Sequence, residues 1–172
     1  MKEYLKLTLL LVSFALFSSC GAKKTKDIYY AQDLKSTSLK SVKLNIFTPR
    51  KSKEKLPVLI FVHGGNWNTG NKDTYGFFGR NFAKKGVITI IPDYTLSPTT
   101  DYDGMATQIA EAINWTKENA AKYDGDPNQI FLTGHSAGGH LVALAALNPK
   151  YGINPESIAG IILNDAAGLD MK

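Results

Sequence analysis

Apolar residues in this chain fall into short unbroken blocks separated by longer amphipathic stretches. "LPVLIFVHGG" (56–65), "VITIIPDY" (87–94), "QIFLTG" (129–134) and "IAGIILND" (158–165) are continuous apolar runs. Runs of that length are expected of strands buried on both faces. "VKLNIFTP" (42–49) alternates and ends on proline, the pattern of a half-buried strand. Between these blocks, "NKDTYGFFGRNFAKKG" (71–86) predicts a helix, with Phe78 and Phe82 four residues apart and Gly86 as its stop. In "DYDGMATQIAEAINWTKENAAKY" (101–123), Met105, Ile109, Ala112, Ile113 and Ala120 fall mostly on one helical face. "SAGGHLVALAAL" (136–147) predicts a helix of small residues. The order is strand, strand, helix, strand, helix, strand, helix, strand. It predicts an α/β fold with a mostly parallel, doubly wound sheet and helices on both faces. Ligand sites in such sheets lie beyond the carboxyl ends of the strands.

The first twenty residues follow another pattern. Lys2 and Lys6 precede an apolar run of eleven, Leu7 to Phe17, which is closed by "SSC". Eleven helical residues reach roughly 16 Å, about half of a bilayer core. The stretch therefore reads as a signal peptide over 1–19 rather than a membrane span. Cys20 is the single cysteine of the chain, so an intrachain disulfide is excluded. Two serines before it and Gly21 after it resemble the lipobox of bacterial lipoproteins, although Phe17 stands where leucine is more usual. That resemblance implies a lipidated Cys20, a tether over 20–27, and a protein exported and lipid-anchored to the bacterial cell envelope.

The formal charge of +5 comes from lysine clusters at 23–26, 35–43 and 50–55. They read as solvated surface, the first lying close to anionic headgroups beside the anchor. No aromatic residues are interleaved with them and no nucleic-acid motif is present, so no nucleic-acid partner is expected. No metal-ligand cluster or phosphate loop is present either, and no cofactor is expected.

The candidate chemistry lies in two motifs placed directly after strand runs. "GHSAG" (134–138) fits Gly-x-Ser-x-Gly between an apolar strand and an apolar helix, the setting of a nucleophile elbow. It presents Ser136 as a catalytic nucleophile at a helix N-terminus, where peptide dipoles favour negative charge. "HGGNW" (63–67) brings two glycines that let backbone come close to a substrate oxygen. The N–H groups of Gly64 and Gly65, with that of Ala137, are the expected oxyanion hole, and Asn66 is an alternative donor.

These motifs, together with "DYTLSP" (93–98) and "YDGDPNQI" (123–130), resemble the α/β-hydrolase superfamily, in its carboxylesterase and lipase-like branch with an HGG oxyanion motif. The resemblance runs from about residue 40 to about residue 170. The family more often has arginine where Thr95 stands. The resemblance implies an acyl-enzyme on Ser136 and a small-molecule ester or amide substrate. It also implies that 28–172 is the N-terminal part of a hydrolase domain, incomplete at the C-terminal edge of its sheet.

A serine nucleophile needs a base and an acid that orients it, in the order Ser, Asp or Glu, His in this fold. No histidine follows His140. His63 is expected to hold the oxyanion loop, His135 to point away from Ser136, and His140 to be a core histidine. Asp165 and Asp170 follow the last strand, and Asp165 is a candidate acid that reads better as a turn residue. Asp93 and Asp126 read as structural. The triad base, and with it the acid, is expected beyond this stretch, leaving the chain weakly active alone. The alternative is a non-catalytic envelope lipoprotein that uses the scaffold for binding or assembly, self-associating through an exposed last strand. Trp67, Tyr75 and Phe77 are candidates for lining an acyl or aryl site.

Overall fold

The computed structural model describes residues 21–31 and 42–169. Residues 1–20 and Asp170 lie outside that range, and with them the expected signal peptide and Cys20. Six strands form one sheet: β1 (Ala22–Ala31), β2 (Val42–Pro49), β3 (Leu56–Val62), β4 (Ile88–Pro92), β5 (Gly125–His135) and β6 (Gly160–Asn164). Their spatial order is β1-β2-β4-β3-β5-β6. β1 and β2 run antiparallel to their neighbours, whereas β4, β3, β5 and β6 are mutually parallel. Among the described residues three α-helices complete the layers: α1 (Gly76–Lys84), α2 (Tyr102–Asn119) and α3 (Ala137–Leu147).

The period-2 geometry of the strands sorts their side chains between two cores. Leu44, Ile46, Val58, Ile60, Val62, Ile88, Ile90, Ile130 and Leu132 point to one face and are covered by α2 and α3 through Met105, Ile109, Ile113, Leu141 and Val142. Phe47, Phe61 and Ile91 point to the other face, where α1 supplies Ala83 and Phe78. Helices therefore lie on both faces, as the strand–helix alternation requires. α2 starts where Asp101 caps it by accepting the N–H of Gly104 at 3.0 Å. α1 starts five residues later than its apolar spacing predicts. The Asn71 side chain takes the N–H groups of Asp73 (2.9 Å) and Thr74 (3.1 Å), which holds those residues in a turn.

The expected tether over 20–27 is a correction. From Ala22 onward the chain is already strand β1, paired with β2 in the register Ala22↔Pro49 to Ala31↔Val42, so the folded domain begins before residue 28. The segment "AKKTKDIYYA" lacks apolar alternation because it is an edge strand held by backbone pairing, and lysines are the residues edge strands carry. Asp27 sits at φ 57°, at the shift in register between Thr25 and Ile28. The opposite edge differs. β6 carries no charge, Ile162 is 60% exposed, and Ile162 and Leu163 border an apolar cleft of about 470 Å³ with Leu59, Phe78, Phe82 and Phe131.

Packing of α1 is set by one glycine. A Cβ on Gly79 would lie 2.3 Å from Cδ2 of the buried Phe47 ring, whereas one on Gly76 would meet only the Arg80 guanidinium at 3.5 Å. Alanine in a helix is favoured over glycine by about 1 kcal/mol, and overpacking a core costs about 1–3 kcal/mol. Gly79→Ala is therefore expected to lower the unfolding free energy by up to about 2 kcal/mol in urea titrations, while Gly76→Ala leaves it unchanged or raises it. Equal stabilisation by both would show that α1 does not rest on Phe47.

Candidate active site

β5 runs to His135, and the chain turns directly into α3 at Ala137. The turn is made at Ser136, whose φ of 52° and ψ of −121° are strained for a residue with a side chain. The neighbouring glycines make this turn feasible. A Cβ on Gly134 would lie 2.3 Å from the Gly138 carbonyl oxygen, and one on Gly138 would lie 2.2 Å from that of Val62. The elbow is thus nested against the carboxyl end of β3. The Ser136 N–H donates to the Asn164 carbonyl at 3.0 Å, and the Ser136 carbonyl accepts from Gly139 (2.9 Å) and from Ala167 (3.2 Å). The residues that follow β6 therefore brace the turn. The Ser136 hydroxyl makes no capping hydrogen bond to α3.

The second motif meets the first here. A Cβ on Gly64 would lie 2.7 Å from the His135 carbonyl oxygen and 3.3 Å from Ser136 Cβ. No side chain fits at Gly64, and its backbone lies against the serine. Gly65 has a φ of 130°, Asn66 51° and Trp67 58°, and the Gly65 carbonyl accepts from Asn68 N–H (3.1 Å), Thr69 N–H (2.9 Å) and Thr69 Oγ1 (2.8 Å). The loop after β3 is a tight fold-back whose first residue, Gly64, lies against Ser136.

The three histidines occupy distinct settings. His63 is fully buried. Its ring stacks on Tyr94 at 4.5 Å between centroids, and Tyr94 donates its hydroxyl to the His63 carbonyl at 3.0 Å. His63 Nδ1 lies 2.9 Å from the Gly64 carbonyl, so that nitrogen carries the hydrogen. His63 Nε2 faces Asp93 Oδ1 at 3.8 Å. Burial lowers the His63 pKa and keeps the ring neutral, against the smaller upward pull of the Gly64 carbonyl and Asp93. His135 contacts the Gly64 side of the elbow. His140 is 7% exposed, lies edge-on to Trp67 at 5.5 Å, and has its pKa lowered by burial.

Other candidates separate by place. Asp126 accepts from Asn128 N–H and Gln129 Nε2, a turn role. Asp165 adopts φ 49° just past β6. Thr95 is buried and clasped by Gln108, which accepts from its N–H at 2.7 Å and donates to its hydroxyl at 2.9 Å. That pair secures the loop formed by residues 93–98. Tyr75 packs on Phe61 in the smaller core, Phe77 is 59% exposed, and Trp67 alone of the three aromatics adjoins the serine's helix. Lys72 and Asp27 were not signalled by the sequence. Both lie in polar stretches, yet the Lys72 ammonium is 3.0 Å from Asp27 and 3.1 Å from Asp93.

The neutral, buried histidines tie stability to pH. A histidine whose folded pKa lies below its unfolded value of about 6.5 contributes stability that is complete above pH 6.5 and lost as the pH falls. Unfolding free energy is expected to decline below about pH 6.5, by up to about 1.4 kcal/mol per pH unit for each of His63 and His140. Replacing His140 with phenylalanine is expected to make that slope shallower. Equilibrium denaturation from pH 8 to pH 5 measures it, and a flat profile would contradict the neutral state of His63.

Comparison with known proteins places this geometry. The BD-FAE family model matches residues 44–158. A probable isoprenylcysteine alpha-carbonyl methylesterase from Oryza sativa subsp. japonica is 38% identical over 105 residues, which cover 61% of this chain and 25% of the rice protein. Carboxylesterase NlhH from Mycobacterium tuberculosis is 34% identical over 109 residues, covering 63% of this chain and 34% of that enzyme. Among solved structures, esterase B from Lactobacillus rhamnosis superposes with a TM-score of 0.70 at 25% identity, covering 83% of this chain and 48% of its own. A bacterial heroin esterase shares the fold at a TM-score of 0.69 and 24% identity, with 92% and 49% covered. The chain thus spans a quarter to a third of the curated relatives and about half of the solved esterases. With the family model matching most of its length and the sheet order described above, the chain belongs to the BD-FAE family and has the α/β-hydrolase fold.

Proposed function

We propose that the protein is a serine hydrolase of carboxylic esters that works through an acyl-enzyme on Ser136. The observation that carries the reading is the contact between Gly64 and Ser136. It puts the backbone of the loop after β3 against the side chain that would attack. In this mechanism Ser136 Oγ attacks the ester carbonyl and its proton passes to a base. The negative charge on the carbonyl oxygen is met by the N–H groups of Gly64, Gly65 and Ala137, each such donor contributing about 2.7–4 kcal/mol to the transition state. The alkoxide leaves with a proton from the base. Water then attacks the acyl-enzyme as the base takes its proton, and the acyl–Oγ bond breaks, releasing the acid while the base returns the proton to Ser136 Oγ.

His63 is committed to the Gly64 carbonyl, His140 packs edge-on to Trp67, and His135 is taken to point away from Ser136, so in this reading the base is none of the three. Without that base, the hole and the binding site by themselves would sustain about 10³-fold over water. Substrates are small esters or amides. Relatives named as carboxylesterases and a kynurenine formamidase of Danio rerio, 29% identical, support that class.

A second reading is a non-catalytic envelope protein using the scaffold for binding or assembly, favoured by the open apolar edge of β6. Fluorophosphonate labelling separates the two. Labelling of the folded chain that disappears in Ser136→Ala removes the binding-only reading. A folded chain that resists labelling removes self-sufficient catalysis by these residues.

Lipidation of Cys20 is proposed as well, and with it export and anchoring to the cell envelope. Metabolic labelling with a fatty acid is expected to mark the wild-type protein in the membrane fraction and to be lost in Cys20→Ser. Incorporation that survives the substitution would refute the site.

A further inference from the structure

The region behind the loop after β3 contains an ion cluster, built on the buried Lys72 with Asp27 and Asp73 half-exposed, that the acyl-transfer chemistry does not itself use. Lys72 is 6% exposed. Its ammonium meets Asp27 Oδ1 of β1 at 3.0 Å, Asp93 Oδ2 after β4 at 3.1 Å, and Asp73 Oδ2 at 3.4 Å. The Lys72 N–H donates to Asp93 Oδ1 at 2.5 Å. Asp73 Oδ1 in turn accepts from Lys24 Nζ at 2.7 Å and from Asn45 Nδ2 at 3.0 Å, and the buried Asn45 accepts the Asp27 N–H at 3.2 Å. Two ammonium groups and three carboxylates from separate segments are locked together, with Asp27 in left-handed backbone.

A cluster of this kind is a weak source of stability, because desolvation offsets most of the attraction. It does fix geometry. Asp93 lies 3.8 Å from His63 Nε2, and His63 Nδ1 is committed to the Gly64 carbonyl. A Cβ on Gly70 would lie 2.5 Å from that same carbonyl and 2.7 Å from His63 Nδ1, so the loop closes on the imidazole. The path from Lys72 to the backbone beside Ser136 is therefore three contacts long: Lys72 to Asp93, Asp93 to His63, His63 to Gly64.

Resting on the acyl-transfer reading of the site, we propose that Lys72 is a positioning residue. Clamped by Asp27 of β1, its ammonium neutralises Asp93 behind His63 and so holds the loop in the shape that turns Gly64 and Gly65 toward Ser136. The groups around His63 are Asp93 from the end of β4, the Tyr94 and Tyr75 rings, and Lys72 with Asp27 and Asp73 behind it. Without the ammonium, a carboxylate that keeps the Lys72 N–H but has lost its counter-charge would face the lone pair of Nε2. The imidazole would relieve that repulsion by taking a proton or by swinging away, and either response pulls on the Gly64 carbonyl.

The test uses the full chain and its Lys72→Met, Lys72→Arg and Asp27→Asn variants. Two readouts do not depend on catalysis: the imidazole NMR titration of His63, and hydrogen exchange at residues 64–70 relative to the core amides of Ile60 and Ile90. Lys72→Met is expected to raise the His63 titration midpoint by about one unit or more, and to speed exchange in the loop about tenfold beyond any change in the core. Lys72→Arg keeps the cation and is expected to restore both. Asp27→Asn, which leaves the ammonium in place but loosens its clamp, is expected to speed loop exchange by a smaller factor, and it serves as the test if Lys72→Met does not fold. Where the wild type labels at Ser136, the rate is expected to fall at least tenfold in Lys72→Met and to recover in Lys72→Arg. A His63 midpoint and a loop-to-core exchange ratio that stay at wild-type values in Lys72→Met, or in Asp27→Asn should Lys72→Met not fold, would overturn the proposal. Absent labelling in the wild type, with the NMR and exchange shifts intact, would instead remove self-sufficient catalysis by these residues and leave the loop coupling standing.

Discussion

The arrangement at the carboxyl end of the sheet depends on one steric constraint, the near-contact of two stretches of backbone that admit no side chain between them. Gly64 lies against the His135 carbonyl and Ser136, Gly138 lies against the end of β3, and Gly134 lies against Gly138. Each is a place where a Cβ would collide with main-chain atoms that cannot move aside. The parallel pairing of β3 with β5, from Val58↔Ile130 to Val62↔Gly134, brings the two loops out of the sheet side by side. The register of central strands thus becomes the register of the site. A shift of one residue would turn Ile60 and Leu132 out of the core and would also separate Gly64 from Ser136.

Strain at Ser136 is held by the same pairing. A serine at φ 52° costs on the order of 1–3 kcal/mol and persists only where the surroundings over-determine it. Here β5 enters the turn as a central strand, α3 leaves it with Gly139 and His140 bonded back to the Ser136 carbonyl, and the Asn164 carbonyl takes the Ser136 N–H. β6 and the residues after it therefore do more than widen the sheet. Asn164 and Ala167 are part of the frame of the elbow.

Much of this was legible in the sequence, for definable reasons. Three apolar blocks became β3, β4 and the end of β5 because strands buried on both faces require unbroken apolar runs, whereas the fourth became β6, whose Ile162 and Leu163 are exposed. Met105, Ile109 and Ile113 marked the buried stripe of α2. The two glycine motifs were readable because close backbone approach leaves glycine as the residue that fits. β1 was not legible, since Lys23, Lys24 and Lys26 give the composition of a solvated tail while the strand is held by main-chain bonds to β2. The ion cluster was equally silent. Lys72, Asp27, Asp73 and Asp93 are dispersed across the sequence in turn-like surroundings, and only the sheet brings them together. The two sheet edges show the same contrast between composition and role. β1 is closed to further pairing by its charges, whereas β6 presents Ile162 and Leu163 with nothing to discourage it.

The charge cluster shows why a buried ammonium is used where an apolar side chain would pack as well. Stability alone does not favour it, because well-packed apolar groups commonly match or exceed buried ion pairs. The constraint comes from His63. Its Nδ1–H is needed at the Gly64 carbonyl, so its Nε2 carries a lone pair if the ring is neutral, and that lone pair looks at Asp93. Asp93 in turn is needed to hold the Lys72 N–H and the return of the loop. A neutral imidazole beside an anionic carboxylate is tolerable when the carboxylate's charge is already matched, and Lys72 is the cation placed to match it. Burial lowers the Lys72 pKa, and the hydrogen bonds to Asp27 and Asp93 more than reverse that effect, so the cation is retained well into the alkaline range. Electrostatic balance behind the loop and steric closeness in front of it are thus two parts of one device, joined through a single histidine ring.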